Sequence, residues 1–309
     1  MTEQTAEIAE LQESTPEADA QGRIVDYAIL LKPRVMSLVL FTGFAGLLLA
    51  PGSLDIATTL IAVIAIGVGA GASGAINMYY DRDIDGKMER TMDRPLPAGR
   101  LAPVHALWLG TVLSFASVAV MAVWVNAMAA LLLTITICFY VFIYTIWLKR
   151  RTPQNIVIGG ASGALPPMIG WAAVTGGISI EPVILFAIIF LWTPPHFWAL
   201  ALYRSGDYER AGVPMLPVVS GESSTKTQIL IYSLILAPVV VAPAFVGMTS
   251  MVGGVILAVL SLWFIAHAVR VYRCTDFDTP RAMFRFSILH LFFVFLTLLG
   301  DHFLAPLFA

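Results

Sequence analysis

Apolar runs of about twenty residues recur along nearly the whole of this 309-residue chain. A bilayer core takes roughly 20 consecutive apolar residues per helix. A chain with so many such runs has one ready way to bury them, a bundle of helices inside a membrane. Nine spans are predicted, over approximately 27–50, 56–79, 103–123, 127–147, 155–173, 183–203, 228–247, 251–271 and 284–308. No stretch alternates apolar and polar residues as a membrane β-barrel does. Charge agrees with this class. Only 12% of the residues are charged, against about 25% in a soluble domain, and the mean hydropathy is +0.83. A soluble enzyme, a disordered chain and a disulfide scaffold are thereby excluded. The two cysteines, Cys138 and Cys274, lie in or beside apolar runs and read as small hydrophobes. A net charge of −2 offers no basic surface for nucleic acid. The expected fold class is all-α, a polytopic membrane protein with nine transmembrane helices.

Residues 1–22 differ from the rest. They carry Glu3, Glu7, Glu10, Glu13, Glu17 and Asp19 and no Lys or Arg. This composition predicts a disordered, solvated acidic tail ahead of one intramembrane domain over 23–309. It fits neither a secretory signal nor a mitochondrial transit peptide, both of which are basic.

The 18 Lys and Arg residues are sorted by loop. They fall before the first span and in alternate loops thereafter: Arg23, Lys32 and Arg34; Arg82 to Arg100; Lys149 to Arg151; Arg204, Arg210 and Lys226; and Arg270 to Arg285. The opposite loops, near 51–55, 124–126, 174–182 and 248–250, have none. The positive-inside rule then places the N-terminus and the basic loops in the cytoplasm and the C-terminus outside. That alternation needs an odd number of spans.

The loop after the second span holds the densest chemistry. Asn77, Asp81 and Asp85 are spaced i, i+4, i+8, so on a helix continuing from span two they share one face. Two carboxylates and an amide oxygen form a hard-oxygen surface suited to Mg²⁺, which takes a few carboxylates plus substrate phosphates. Lys87, Arg90, Arg94 and Arg100 follow at once, and guanidinium forks match phosphate oxygens. The competing interpretation is a solvated loop whose mixed charges pair among themselves. A second acidic loop follows span six on the same side, where Tyr203 and Asp207 repeat the i, i+4 spacing. Two such loops suggest two helix groups facing a shared cavity; the plain alternative is an ordinary interfacial loop. Span six also carries Thr193-Pro194-Pro195-His196-Phe197-Trp198, and His290 enters span nine from the same side. An intramembrane His is a candidate to ligate iron, to shuttle a proton or simply to bond a neighbouring helix. Asn155 opens span five at the cytoplasmic mouth, where it would line a polar head-group site; the glycines that follow read as packing. No Walker A motif, Rossmann fingerprint or metal-binding Cys cluster is present.

These strings together carry a resemblance. Asn77-x₃-Asp81-x₃-Asp85, nine spans and a second acidic loop resemble the UbiA superfamily of intramembrane prenyltransferases, from about residue 24 to the C-terminus. Within it, Asn77-Met-Tyr-Tyr-Asp81-Arg-Asp83-Ile-Asp85, Arg90 to Arg100, Thr193-Pro-Pro-His196-Phe-Trp and Gly206-Asp207-Tyr-x-x-Ala-Gly-Val-Pro214-Met-Leu-Pro217 are similar to the branch that farnesylates heme. The resemblance implies helices around a central cavity in the bacterial inner membrane. It implies transfer of a farnesyl group from farnesyl diphosphate to a vinyl group of heme B, with water added, giving heme O and diphosphate. It further implies Mg²⁺ on Asn77, Asp81, Asp85 and Asp207, and Lys87, Arg90 and Arg94 on the diphosphate. His196, Asn155 and Tyr203 are the candidates for contact with the heme or the cavity. A functional link to heme A synthase or terminal oxidase assembly follows from the product. Other branches of the superfamily carry an Asp where this chain has Ala211, which leaves Glu209 or Asp207 alone to serve. The alternatives are a prenyltransferase acting on a quinone precursor or chlorophyll-like acceptor, and a transporter. Transporters place charge near the midplane, whereas here it sits at one rim.

Overall fold

The computed structural model describes residues 23–304; the acidic segment 1–22 lies outside the described residues. Twelve α-helices and one π-helix make up the described residues, with no strand among them. Eight spans are long and apolar enough to cross a membrane. A ninth apolar helix, Pro33–Leu49, has 17 residues. The protein is therefore a multi-pass, all-helical membrane protein.

The first expected span, 27–50, is divided. Helix α1 (Ile24–Leu30) is separated from α2 (Pro33–Leu49) by Lys32, which has φ 52°. The cause is local. Pro33 lacks an N–H and its ring disfavours the helical conformation of the preceding residue. Helix α3 (Ile56–Asp85) is capped at its N-terminal end by Asp55, whose Oδ1 accepts from Thr58 N at 3.1 Å. It runs on past the apolar span to Asp85, as the spacing of its polar residues requires. Helix α4 (Pro103–Trp124) packs along it. Helix α5 (Ala127–Cys138) continues into the π-helix (Phe139–Leu148), and together they form one span. Helices α6 (Asn155–Ala164) and α7 (Pro166–Thr175) form another, bent where Pro166 and Pro167 follow α6.

Helix α8 (Ile180–Tyr203) passes through Pro194 and Pro195 without ending. The two prolines remove two N–H donors from the ladder, a loss tolerated inside a membrane where neighbouring protein surrounds the backbone. The short α9 (Ser205–Arg210) follows. Helix α10 (Leu216–Phe245) starts well before the expected span at 228 and is kinked at Gly221, whose φ is 78°. Helices α11 (Met251–Arg273) and α12 (Asp278–Leu304) complete the bundle.

The two ends of the bundle differ as the charge sorting requires. At one end the basic segments link to each other. Arg100 Nε meets Asp26 at 2.9 Å, Tyr27 meets His105 at 2.8 Å, and the guanidinium of Arg281 lies over the Tyr203 ring. At the other end the ties are small. Asn126 donates to the carbonyls of Ala172 and Ala173, and Asp301 accepts from Thr249 and Ser250.

Between these ends the helices meet through small residues. A Cβ on Gly46 of α2 would lie 2.0 Å from the Pro167 carbonyl oxygen of α7, and one on Gly170 would lie 2.0 Å from that of Gly43. Hydrocarbon tails are as apolar as side chains, so close backbone approach is what holds such helices together. Gly46→Ala and Gly170→Ala are each expected to destabilise the protein by about 1–3 kcal/mol, the range for overpacking, read as a lower melting temperature in detergent. Gly163→Ala, which meets nothing within 4 Å, should melt close to the parent.

Candidate active site

The end of α3 carries a row of polar side chains that the membrane interior would not accept without partners. Asn77, Asp81 and Asp85 all lie buried on the inward face, and Asp81 is fully enclosed. Asn77 Nδ2 donates to Asp81 Oδ2 at 2.7 Å and to Thr145 Oγ1 at 3.1 Å. This is the shared face that the i, i+4, i+8 spacing predicts.

Cations from distant segments close over this row. Lys32 Nζ donates to Asn77 Oδ1 at 2.8 Å and lies 3.5 Å from the Tyr140 hydroxyl. Lys149 Nζ pairs with Asp81, and Arg150 reaches the other Asp81 oxygen at 3.5 Å. Arg94 Nη1 pairs with Asp85 at 2.6 Å. Arg150 also clasps Asp83 with two bonds, of 2.6 and 2.8 Å, which hold its guanidinium above its ordinary pKa. A buried carboxylate without a partner is costly, so each of the two aspartates needs its cation.

The π-helix is what brings the partners into line. Tyr140, Thr145 and Lys149 all face the row on α3, at spacings of five and four residues. In an α-helix a residue five along has turned well off the face. In a π-helix the i→i+5 bond makes it a direct neighbour. Gly159 of α6 completes the wall, because a Cβ there would lie 2.2 Å from the Tyr144 ring.

The second acidic loop meets the first. Glu89 N donates to Asp207 Oδ1 at 3.4 Å. Arg210 binds both Asp207 and Glu89, and Arg204 lies 3.6 Å from Asp207 and 3.4 Å from Glu89. Beneath them Ile84 and Met88 pack in one apolar cluster with Ile156, Tyr208, Val213 and Met215. Asp207 is buried, and its Oδ2 has no hydrogen-bond donor. Glu209 is exposed on the far side of this turn. Asn155 is fully buried above the same cluster; its Nδ2 donates to Thr152 O at 2.6 Å, while its Oδ1 has no donor.

The remaining sequence candidates spread out. Lys87 and Arg90 are exposed at the rim. Tyr203 turns toward α12, where Arg281 stands 5.4 Å from its ring centre and Phe284 packs edge-on. His196 sits deeper on α8, against α12. Lys32 and Lys149 were missed as site residues: in the sequence they serve only to set topology. A cation at a helix mouth directly beside an apolar run was the available signal.

Residues 39–297 match the model of the UbiA prenyltransferase family. The chain is 55% identical over 280 residues to protoheme IX farnesyltransferase 2 of Mesorhizobium japonicum, covering 89% of each chain. Its fold resembles a structure of digeranylgeranylglyceryl phosphate synthase, with a TM-score of 0.75 at 17% identity over 90% of this chain and 98% of that one. A UbiA homolog from Archaeoglobus fulgidus bound to DMAPP and Mg²⁺ aligns with a TM-score of 0.65 at 16% identity, over 87% of this chain and 99% of that one.

Lys149→Met is expected to cost about 3–5 kcal/mol of stability, because it breaks a buried pair and leaves Asp81 only Arg150 at 3.5 Å and the Asn77 amide. Adding Asp81→Asn should recover most of that loss. Thermal melting of the two single variants and the double variant checks the coupling.

Proposed function

The chain belongs to the UbiA prenyltransferase family, and from that premise we propose that it transfers the farnesyl group of farnesyl diphosphate to a vinyl group of heme B. Water is added, and the products are heme O and diphosphate. The observation that carries this reading is the layered site: a buried row of hard oxygens on α3, roofed by Lys32, Lys149 and Arg94, at the charged end of an apolar bundle. Relatives more than half identical over most of both chains bear the name protoheme IX farnesyltransferase, which supports both donor and acceptor.

The chemistry follows from charge. Breaking the allylic C–O bond leaves the electron pair on the diphosphate and a positive charge on the prenyl carbon. Lys32, Lys149 and Arg94 are placed to stabilise the leaving group, and preorganised charges of this kind are usually the largest contribution to rate. Lys87 and Arg90, exposed at the rim, are placed to meet the diphosphate as it arrives. The vinyl π-electrons form the new C–C bond. The cation then formed beside the pyrrole takes up water and releases a proton. Tyr140 and Tyr144 flank the row on the side of the bundle interior, where ring faces can stabilise positive charge.

Asp81, Asp85, the amide oxygen of Asn77 and the donor-free oxygen of Asp207 suit Mg²⁺, which binds one or two carboxylates plus substrate phosphates. Among the described residues no three His, Cys, Asp or Glu side chains group closely enough to hold a metal ion by themselves. When bound, Mg²⁺ would draw charge from the leaving group. The positive-inside rule orients this rim toward the cytoplasm of a bacterial inner membrane.

Purified protein incubated with heme B, farnesyl diphosphate and Mg²⁺ should yield a hydroxyethylfarnesyl heme, detected by chromatography and mass spectrometry. Chelation of the metal should stop the reaction and added Mg²⁺ should restart it. Asp81→Ala and Asp85→Ala are each expected to lower turnover about 10²–10³-fold, as for removal of one preorganised charge-stabilising group. No heme product, with prenylation of a phenolic acceptor instead, would overturn the acceptor assignment. Solute flux without any product would point to a transporter.

A further inference from the structure

His196 is wired differently from every other histidine in the bundle. Both faces of its ring are covered. Trp192 stacks at 4.2 Å between centroids and Phe284 of α12 at 4.5 Å, while Phe197 packs edge-on at 5.0 Å. One edge is covered too, since Nδ1 lies 2.6 Å from Ser287 Oγ.

The direction of that bond is fixed by its neighbour. Ser287 Oγ donates to the Phe284 carbonyl oxygen at 2.7 Å. The Phe284 carbonyl can only accept and a hydroxyl has one proton, so both contacts are satisfied together only when the Ser287 oxygen accepts from His196 Nδ1. The His196 proton is therefore on Nδ1, and Nε2 presents a lone pair. Ser287 itself is held in place because Trp192 Nε1 donates to its carbonyl at 2.9 Å and its side chain is fully enclosed. Nε2 has no protein partner among the described residues, yet it is absent from the sealed, unpartnered polar atoms of the interior. The residue keeps 7% of its surface open. With two faces and the Nδ1 edge covered, the open part is the Nε2 edge.

His290, one turn further along α12 from Ser287, is the contrast. Both its nitrogens are sealed and unpartnered, and its ring lies 4.5 Å from Phe264. That is packing. His196 instead has one nitrogen anchored and the other offered.

We propose that Nε2 of His196 is an axial ligand to the iron of the heme acceptor, and that Ser287 is the positioning residue that sets the ring for it. This rests on the heme reading given above. A histidine that binds a metal generally donates its other N–H to an oxygen acceptor, which fixes the tautomer and the ring orientation. A single protein imidazole is a sufficient anchor for heme iron. The aromatic sandwich holds the imidazole plane against rotation. The same helix then carries Tyr203, Arg204 and, just beyond it, Asp207 at the rim, eight residues from His196 to Arg204, or roughly 12 Å at 1.5 Å per residue. Helix α8 thus sets the depth of the porphyrin against the diphosphate site.

The test uses the full chain in nanodiscs, titrated with heme B and with metal-free protoporphyrin IX, for the parent, His196→Ala, His196→Gln and Ser287→Ala. The parent should show the optical spectrum of an imidazole-ligated heme. Both His196 variants should lose that spectrum and bind heme about 10–100-fold more weakly or worse, a loss of the size seen when metal-site partners are removed. Their affinity for the metal-free porphyrin should not change, and free imidazole should restore the spectrum of His196→Ala. Ser287→Ala should keep the ligand, shift the iron–imidazole stretching frequency and weaken heme binding about 10-fold. An unchanged spectrum and an unchanged heme-to-porphyrin affinity ratio in the His196 variants would overturn the proposal, as would failure of imidazole rescue. Farnesyl transfer by the parent is measured alongside. Heme product with unaltered His196 spectra defeats the ligation alone, whereas a parent that neither binds nor modifies heme defeats the reading beneath it.

Discussion

The compensation of a fully buried carboxylate organises this molecule. Asp81 stands at a depth where an uncompensated charge would be strongly destabilising. Its negative charge, with that of Asp85, calls cations from three other parts of the chain: Lys149 and Arg150 after the π-helix, Arg94 from the following loop, and Lys32, through Asn77, from the break between α1 and α2. Each of those segments adopts an unusual geometry to deliver its charge. Lys32 has a left-handed backbone. The residues before Lys149 wind as a π-helix. The loop carrying Arg94 turns back over Asp85, where the Thr91 hydroxyl donates to the Asp85 carbonyl oxygen at 2.8 Å. Departures from regular helix at several points, each with its own local cause, thus deliver charge to one.

The sequence made local relations legible and hid distant ones. Asn77, Asp81 and Asp85 are four residues apart, so helical geometry alone puts them together. The sorting of Lys and Arg by loop likewise exposes the two ends of the bundle without any tertiary information. Lys32 and Lys149 are 45 and 68 residues from their partners, and no period in the sequence records such pairings. The π-helix was hidden for a different reason. Phe139–Leu148 is apolar apart from the hydroxyls of Tyr140, Tyr144 and Thr145, too short a set to distinguish a wide helix from an ordinary one. Pro194 and Pro195 are disruptive on local grounds, yet α8 continues through them, with both prolines buried among neighbouring helices. Of the glycines of α6, read as packing, two are that: Gly159 seats Tyr144 and Gly160 meets Thr193, while Gly163 meets nothing within 4 Å.

The meeting of the two acidic loops is cooperative in its construction. Apolar contacts among Ile84, Met88, Tyr208 and Val213 bring the loops within reach, and the arginines at 204 and 210 then bridge Glu89 with Asp207. Exposed ion pairs contribute little by themselves. The buried apolar patch therefore positions the acids, and the arginines temper their repulsion. This division explains why Glu89, outside either acidic motif, joins the assembly while Glu209, inside one, does not.

The π-helix has a consequence for how this part of the chain can vary. Apart from Tyr140, Tyr144 and Thr145, its residues are nearly interchangeable as hydrophobes. Their number is not. Tyr140, Thr145 and Lys149 reach the α3 row only because the wide winding returns them to one side, so a deletion that let the segment relax to ordinary winding would turn Lys149 away from Asp81 without altering a single site residue. The segment acts as a measure of length, tolerant of substitution and intolerant of insertion or loss.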